Sequence, residues 1–440
     1  MQQNKSITQG LATIAIHSLI WLFPLYVLIP RFKLWGPIGT DDLIPTAVVC
    51  LCAVAILLNI RPSSAIGFIG VSKEFLQRIL THLISTPALL GLVLVIIIAS
   101  FTTVIQAASL NAAIYGILRV TIRFSLYGVL LLSGRFLLNA KQRRQLIIFL
   151  IALAFIEGLF GLVSYIFRIH GPWQTGMLAY PEKLIPEDGR IRVQGTFGGE
   201  VPLGESFLNR ANFYSAYLVI ALMALTSFWA ERRRLWLVLI TALCITSGIL
   251  VSYSRMSLAA AVVGFFLAAL LTKRWISATI TAIMVILAFT AWSPLRERFL
   301  EFDTDRIGQW MIALRVIASN FWLGTGDGNY LNSAMQVAQG INVPLVRTPH
   351  NSILYATATY GIFAGGALIS LYILLLVEAV RRVRHYVTPL SITRLTLVAA
   401  FIVHDLTNNL FFIPEVALMF WAIYAATEEL SANETVGNNS

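Results

Sequence analysis

The sequence predicts an all-α integral membrane protein, and three observations support this. Hydrophobic residues make up 58% of the 440 residues and charged residues only 12%, whereas soluble domains carry about 25% charged residues. The mean hydropathy is +0.78. Apolar runs of about 20 residues, long enough to cross the hydrocarbon core, recur along the chain. We therefore expect a single polytopic membrane domain over residues 1–440, with no separate soluble domain.

About twelve apolar segments qualify as predicted transmembrane helices by length and hydropathy. Polar or charged stretches separate most of them. The predicted spans are residues 12–30, 43–59, 86–105, 112–134, 145–166, 212–229, 235–252, 256–272, 275–292, 351–377, 392–411 and 413–429.

The distribution of lysine and arginine predicts the orientation of these spans. The formal net charge of +11 could suit a nucleic-acid partner, but the cations stand in short loops between apolar segments. Cytoplasmic loops of membrane proteins are enriched in lysine and arginine, and this bias is strongest in short loops. We therefore place both termini in the cytoplasm and expect membrane lipids, and no nucleic acid, as partners.

Two long loops then fall outside, at residues 167–211 and 293–350. The first is rich in glycine, proline and acidic residues. The second is predicted to be partly helical, because apolar residues recur at helical spacing from Arg306 to Asn320. The glycines between Gly324 and Gly328 should then turn the chain back. The rest of the chain lacks a loop long enough to hold a functional site.

His350 is the first candidate for chemistry, within the step Pro349-His350-Asn351. Proline disfavours helix for the residue before it and suits the first turn of a helix, so His350 is expected at a helix start. A neutral imidazole can accept a proton from an attacking hydroxyl group. The alternative is an interfacial histidine satisfied by lipid headgroups or a loop carbonyl.

Arg255 lies in the short turn between the seventh and eighth predicted spans. A single arginine in a tight outer hairpin runs against the positive-inside bias, which favours an anionic partner. Snorkelling of the side chain to a lipid phosphate is the alternative.

Arg192 and Arg210 flank the glycine-containing end of the first long loop. Guanidinium groups bind pyrophosphate bidentately and stay charged. Surface loops also carry many arginines without such a role.

Three charged residues fall inside the fourth and fifth predicted spans, at an energetic cost that calls for pairing or a wet cavity. Arg119 and Arg123 share one face of the fourth span, and Glu157 lies at a similar depth in the fifth. A structural arginine–glutamate pair is one interpretation, and a lining for a lipid-phosphate portal is the other.

The eleventh span carries a polar group as well, His404-Asp405 with Asn408 and Asn409 one turn on. We interpret it as a structural network that can support a neighbouring site. Carboxylates in the outer loops are scattered, so we expect no metal, and no phosphate-cradling loop or dinucleotide fingerprint suggests a cofactor.

Several motifs together resemble the O-antigen ligase family, in their order and on the predicted outer side. They cover about residues 190–415. One spacing differs from the family: Gly198 to Asn209 separate the Gly-Thr-Phe element from the asparagine element, and these two elements stand closer together in the family. The motifs are Arg192-Val-Gln-Gly-Thr-Phe, Asn209-Arg-Ala-Asn212, Ser254-Arg255, Arg306 with Trp310, Gly324-Thr-Gly-Asp-Gly-Asn-Tyr330 and His350-Asn351.

The resemblance implies a metal-independent, inverting glycosyltransferase of the bacterial inner membrane with a periplasmic site. It would move O-antigen from undecaprenyl pyrophosphate to lipid A–core oligosaccharide. The resemblance makes His350 the base, and Arg192 and Arg255 the groups that bind the pyrophosphate and stabilise its growing charge. The substrate-contacting residues would be Arg210, Asn212, Asn351, Arg119 and Arg123.

Two rival functions are compatible with these residues. An O-antigen polymerase or a protein O-oligosaccharyltransferase would use the same chemistry on a different acceptor. A lipid-linked glycan flippase or transporter would instead use the intramembrane charges to line a path. Transporters often carry internal repeats, and no repeat is visible in this sequence.

Overall fold

The computed structural model describes most of the chain, and the fold is built from helices apart from one short pair of strands. Eleven of the twelve predicted spans coincide with helical segments. The remaining one, residues 275–292, lies outside the described residues, as do residues 168–206 of the first long loop. The described residues are 2–28, 33–35, 38–60, 86–167, 207–231, 235–274, 304–341, 343, 345–346 and 348–428.

We number the α-helices along the described residues. A π-turn (Ser18–Leu22) and a 3₁₀ turn (Phe23–Leu28) follow the first helix, and the strands β1 (Lys33–Trp35) and β2 (Ile38–Gly39) pair antiparallel. The helices are α1 Gln2–His17, α2 Thr40–Ile60, α3 Pro87–Ile105, α4 Leu110–Phe136, α5 Ala140–Phe167, α6 Phe207–Glu231, α7 Leu235–Val251, α8 Arg255–Leu271, α9 Thr304–Ser319, α10 Tyr330–Val337, α11 Ser352–Tyr360, α12 Ile362–His385, α13 Pro389–Asp405 and α14 Pro414–Ala426.

Five helices within the described residues are long and apolar enough to cross a membrane, which supports a multi-pass membrane protein. They are α3, α4, α5, the part of α6 from Ala211 to Glu231, and α12. Several shorter apolar helices accompany them, including α7, α8 and α14. The total of twelve membrane crossings stays a prediction.

Local sequence signals explain where several helices begin. Proline stands at the start of α3, α13 and α14, where its missing N–H group costs nothing. Ser109 precedes α4 and accepts a hydrogen bond from the N–H of Ala112. Thr388 and Ser391 form a reciprocal capping box at the start of α13.

Glycine allows close approach between helices in the bundle. A Cβ atom at Gly134 of α4 would overlap the backbone carbonyl of Ala425 in α14, and one at Gly158 of α5 would approach the carbonyl of Cys244 in α7. Small residues at such crossings let helix backbones pack tightly where lipid supplies no hydrophobic drive for association.

The predicted span 351–377 is not one helix, and this corrects the sequence-based expectation. The chain breaks at Gly361 (φ +85°) into α11 and α12. Residues 357 and 365, four positions on either side of the break, approach closely, so the two helices form an antiparallel hairpin. The backbone of the preceding loop covers the turn, because Ile362 N–H donates to Phe321 O at 3.0 Å.

The polar segment beyond α9 packs against this hairpin turn. The predicted amphipathic stretch forms α9, and Ile312 and Val316 on its inner face pack with Tyr330 of α10. Gly324, Gly326 and Gly328 all have positive φ, as a tight reversal requires. Gly326 N–H donates to Thr359 O at 2.8 Å, which docks the loop on α11.

One end of the bundle carries a closed ion network, which we name the Arg394 end. The Arg394 side chain, fully buried, pairs with Glu378 at 3.2 Å and Glu428 at 2.7 Å. Arg382 contacts the same two carboxylates. Burial alone would raise the pKa of Glu428, but the charges of Arg394 and Arg382 lower it to about 2.

Helix lengths make the opposite end uneven. At the Arg394 end, Arg144 of α5 pairs with Glu231 at the end of α6, and Arg274 after α8 donates to the carbonyl of Trp229. α4, α5, α6 and α12 are about 36–42 Å long, whereas α7, α8, α13 and α14 are only about 20–25 Å long. At the opposite end the tips of α7, α8 and α13 lie close together, because Tyr165 of α5 lies 2.9 Å from Tyr253 and Ser257 lies 2.6 Å from His404.

Candidate functional site

His350 lies at the end of the bundle opposite Arg394, two residues before the first residue of α11. The helix is capped by Asn351, whose side chain accepts a hydrogen bond from Leu354 N–H at 2.9 Å. His350 directly precedes this cap, so it stands at a helix start as the sequence predicts. It is 5% exposed and has φ +52°.

Side chains next to His350 attach it to the end of α13. The Asn351 amide nitrogen donates to Leu406 O at 2.7 Å. The Ser352 hydroxyl donates to Asp405 Oδ1, also at 2.7 Å. The position of His350 is thus fixed by the residues that follow it.

The turn that carries Arg255 is attached to the same helix end. Ser254 precedes α8, and its Oγ accepts from Ser257 Oγ at 2.9 Å. Ser257 Oγ lies 2.6 Å from His404 Nε2. Arg255 is the first residue of α8 and is partly exposed, whereas the serines and His404 are buried.

These contacts bring two distant segments of the chain together. The Arg255 turn is held at His404 and the His350 segment at Asp405 and Leu406, which are consecutive residues. We name this region the His404 end of the bundle. Arg306, in the first turn of α9, is near enough for its charge to act on His404. Arg255 and Arg306 therefore lie at the same end of the bundle as His350.

Asp405 organises this region through hydrogen bonds to both carboxylate oxygens. Oδ1 accepts from Ser352 and from Phe411 N–H at 3.0 Å, and Oδ2 accepts from Tyr372 at 2.6 Å. His404 precedes Asp405 in the chain, and its Nδ1 lies 3.2 Å from the side-chain amide nitrogen of Asn408. The polar group seen in the sequence is therefore a buried network, as the structural interpretation expected.

The start of α6 reaches the same end. Ser215 Oγ lies 2.7 Å from Ser257 Oγ, and it donates to the carbonyl of Asn212, which is 6% exposed. Arg210 lies five residues before Ser215 on the same helix, and its side chain is outside the described part of the chain. Arg192 is outside the described residues altogether.

Arg119 and Arg123 belong to a separate cluster at the α11–α12 turn. Arg119 pairs with Asp327 at 2.9 Å, and Asp327 also accepts from Tyr360 at 2.8 Å. Arg123 lies within electrostatic range of Asp327 and Tyr360. The suggested pairing with Glu157 is wrong for Arg119, because the second loop supplies the carboxylate. This ion pair anchors the loop to α4, and the Arg119 side chain stays 35% exposed.

Backbone strain marks both halves of the His404 end. Among the described residues, the non-glycine residues with positive φ are Tyr253, Lys273 and His350. Tyr253 directly precedes the Ser254-Arg255 step. Non-glycine residues in this region of φ/ψ space cost about 1–3 kcal/mol and concentrate at functional sites. The surrounding hydrogen bonds hold these conformations in place.

Sequence reasoning missed three of the residues that hold the site together. Ser257, Ser352 and Tyr372 lie within apolar helices, where single hydroxyl groups are common and carry no pattern. The spacing of Ser254 and Ser257 places them on one face of a helix turn, and this was the one available signal. Tyr372 is paired with Asp405 only by the hairpin at Gly361, which the apolar sequence conceals.

Comparison with known families adds a finding that agrees with this geometry. Residues 240–369, less than a third of the chain, match the family model described as O-antigen ligase. This segment is therefore similar to the O-antigen ligase family. No curated protein matches the chain significantly.

The matched segment contains Arg255, Arg306 and His350. It runs from within α7 to the first part of α12 and omits α13, which holds these segments together. The match supports an O-antigen ligase or polymerase type of function, with a glycosyltransferase-like activity. Substrates of this type are, in general, a lipid-linked glycan and a lipid acceptor.

Proposed function

We propose that the protein is an O-antigen ligase of the bacterial inner membrane. It transfers O-antigen polysaccharide from undecaprenyl pyrophosphate to lipid A–core oligosaccharide at the periplasmic face. The observation that carries this proposal is the attachment of the Arg255 turn and the His350 segment to residues 404–406 of α13. The match of residues 240–369 to the O-antigen ligase family model supports the same class of chemistry.

The proposed reaction is a direct displacement. A hydroxyl oxygen of the acceptor sugar attacks the anomeric carbon of the donor glycan, and His350 takes the hydroxyl proton. The bond from that carbon to the pyrophosphate oxygen breaks, and the electron pair leaves with the lipid pyrophosphate. Because the attack is direct, the anomeric centre inverts. The proposed reaction uses no metal.

Two arginines meet the charge that develops on the leaving group. Arg255 and Arg192 bind the pyrophosphate and stabilise its growing negative charge. The partial burial of Arg255 supports this role, because ionic contacts strengthen away from bulk water. Further substrate contacts are assigned to Arg210, Asn212, Asn351, Arg119 and Arg123. Arg119 is assigned with its exposed part, since Asp327 already binds its guanidinium.

Complementation of a ligase-deficient strain tests the proposal. We expect His350→Ala, Arg255→Ala and Arg192→Ala each to abolish lipopolysaccharide ladders while the protein stays in the membrane. A general base contributes about 10²–10⁴-fold to rate. The matched controls are His385→Ala and Arg384→Ala, because both residues are exposed at the Arg394 end.

Two outcomes would contradict the proposal. Normal ladders from His350→Ala would show that His350 is not the general base. Loss of ladders in His385→Ala would show that the assay detects general damage to the protein. Activity of purified protein with EDTA present tests metal independence. A polymerase would instead extend the lipid-linked glycan and leave the lipid A–core unmodified.

A further inference from the structure

Helix α9 is apolar on its exposed side as well as on its buried side. Ile312 and Val316 pack into the core of the second loop. A helix that borders water normally carries polar residues opposite its core. The centre of the exposed side is instead apolar, and its three large residues are 41%, 47% and 55% exposed. This side, which we name the α9 outer face, consists of Ile307, Met311, Leu314 and Ala318.

A charged residue borders the α9 outer face, but its charge is bound by backbone carbonyls. The Arg315 guanidinium donates to Val337 O at 3.0 Å and to Gln339 O at 2.7 Å. These carbonyls belong to the last residue of α10 and to the turn after it. The two bonds attach α9 to α10 and leave an apolar stripe with a polar edge.

Three aromatic residues lie beyond the end of α9, at the turn between α11 and α12. Phe321, Trp322 and Phe363 are 43%, 63% and 58% exposed. The Trp322 ring lies 5.0 Å from the Phe321 ring and 5.9 Å from the Phe363 ring, measured between centroids. We name these three residues the Trp322 group. Such exposed rings are typical of a membrane–water interface, where tryptophan is enriched.

The Trp322 group marks one end of a candidate membrane span. Phe363 begins an exposed apolar side of α12, and Arg381 and Arg384 are exposed at the other end of this helix. The large apolar residues exposed between them are Ile369, Ile373, Leu376 and Val377. Phe363 and Arg381 stand about 27 Å apart along the helix, close to the hydrocarbon thickness of about 30 Å. This spacing puts the Trp322 group at the level of the lipid–water interface.

A second candidate span ends beside the same loop. α3 runs to Ile105, and its last turns expose Phe101 (60%) and Ile105 (49%). A Cβ atom at Gly326 would lie 2.8 Å from the Cβ of Gln106, the residue after α3. The loop between α9 and α10 thus lies against the ends of two spans whose exposed sides are apolar.

We propose that the α9 outer face and the Trp322 group contact the adjoining leaflet of the lipid bilayer, which attaches the second long loop to the membrane surface. Exposed apolar patches mark membrane or protein contacts, and the ring contact between Trp322 and Phe363 joins this patch to the exposed apolar side of α12. Amphipathic helices bind lipid through the same arrangement, an apolar stripe with a polar edge. This contact does not depend on the proposed reaction.

Spin-label accessibility tests this inference in the full-length protein, reconstituted into phosphatidylcholine–phosphatidylglycerol vesicles with its three native cysteines replaced by alanine. We expect labels at Met311→Cys and Leu314→Cys to collide with oxygen, which dissolves in hydrocarbon, nearly as often as a label at Ile373→Cys in α12. A polar nickel complex should reach them about tenfold less than it reaches Gln336→Cys. Gln336 is the matched control, because it is an exposed polar residue of α10 in the same loop.

Each other occupant of the α9 outer face gives a different result and overturns the inference. Labels at Met311→Cys and Leu314→Cys that meet nickel as often as the Gln336→Cys label would show that the face borders water. Labels that meet neither reagent and broaden one another would show that a second copy of the chain covers it. Oxygen access that appears only after undecaprenyl pyrophosphate is added would show a substrate site in place of bulk lipid.

A measurement without a label tests the Trp322 group. The difference in emission between wild type and Trp322→Phe isolates this indole, and lipids brominated near the headgroup end of the acyl chain should quench most of it. The difference between wild type and Trp421→Phe is the control, because Trp421 is fully buried. An unquenched Trp322 difference overturns the inference. Ladder formation is measured separately, so loss of lipid contact with normal ladders leaves the proposed function intact.

Discussion

The two ends of α13 stabilise buried polar groups in different ways. At the Arg394 end, arginine and glutamate side chains neutralise each other within the chain, and Arg394 also lies 4.0 Å from the Tyr424 ring. At the His404 end, an imidazole, hydroxyl groups and amides form hydrogen bonds around one carboxylate, Asp405. Ion pairs compensate the buried charge at one end, whereas hydrogen bonds stabilise a buried carboxylate at the other.

This difference indicates distinct roles. Buried ion pairs contribute little net stability but are costly to break, because the remaining charge stays buried and unpaired. A buried hydrogen-bond network fixes the positions of the loops that would contact a ligand. Variants at the two ends should therefore separate stability from binding, and the following predictions run from the largest effect to the smallest.

Substitution of Arg394 should cause the largest loss of stability. Arg394→Met would remove the fully buried cation of this network and leave Glu378 and Glu428 with Arg382 alone, at a cost of about 3–5 kcal/mol in the free energy of unfolding. The measurement is thermal unfolding of the purified protein together with its amount in the membrane. Near-wild-type stability would show that the Arg394 end is not held by this network.

Acid should weaken the same network from the carboxylate side. The folded-state pKa of Glu428 lies at about 2, below its ordinary value of 4.5. A lowered folded pKa contributes stability above the unfolded value that is lost as pH falls toward the folded one. Wild-type stability should therefore fall between pH 4.5 and 2. A Glu428→Gln protein should lack this part of the pH dependence, and an identical profile would contradict the assignment.

The hairpin turn at Gly361 should be the next most sensitive position. Gly361→Ala would force a residue with a side chain to φ +85° and its Cβ against the Trp322 carbonyl. We expect a loss of about 1–3 kcal/mol, with weaker transfer activity because α11 carries the His350 segment. Gly366→Ala is the control, since nothing lies within 4 Å of a Cβ there.

The control should change in the opposite direction. Gly366 lies inside α12, where alanine is favoured over glycine by about 0.5–1 kcal/mol. A similar loss in both variants would mean that the turn conformation at Gly361 is not the reason. Thermal unfolding and ladder formation measure both variants side by side.

The loop anchor at Arg119 should give the smallest effect. Its ion pair with Asp327 is about one-third exposed on the arginine side, and exposed pairs contribute about 0–1 kcal/mol. Arg119→Gln should leave the unfolding temperature nearly unchanged and should speed proteolysis of the loop before α11. Unchanged proteolysis would show that Gly326 and its neighbours hold the loop without the ion pair.

Much of the fold follows from the sequence, because helix formation in a membrane depends on local composition. Apolar runs of sufficient length predict where helices lie, and α13 and α14 begin at Pro389 and Pro414, where proline suits the first turn. The amphipathic stretch at α9 follows from its spacing. The break at Gly361 could not be predicted, because the residues on both sides are apolar and helix-compatible.

The candidate site, like the fold, could be predicted only in part from the sequence. Sequence alone selects His350 and Arg255, since a histidine beside a loop proline and a lone outer arginine depart from the usual pattern of membrane helices. It also assigns the O-antigen ligase resemblance to the motifs around them. Hydrophobic periodicity says nothing about which helix ends meet.

Only the tertiary structure decides that His404, Asp405 and Leu406 join the two segments, and that Arg119 pairs with Asp327. The reason is physical. The burial of a segment is set by its own residues, but a hydrogen bond between helices depends on the lengths, breaks and crossings of all the helices between them. A single serine at position 257 acquires its partners only when α6, α8 and α13 have packed together.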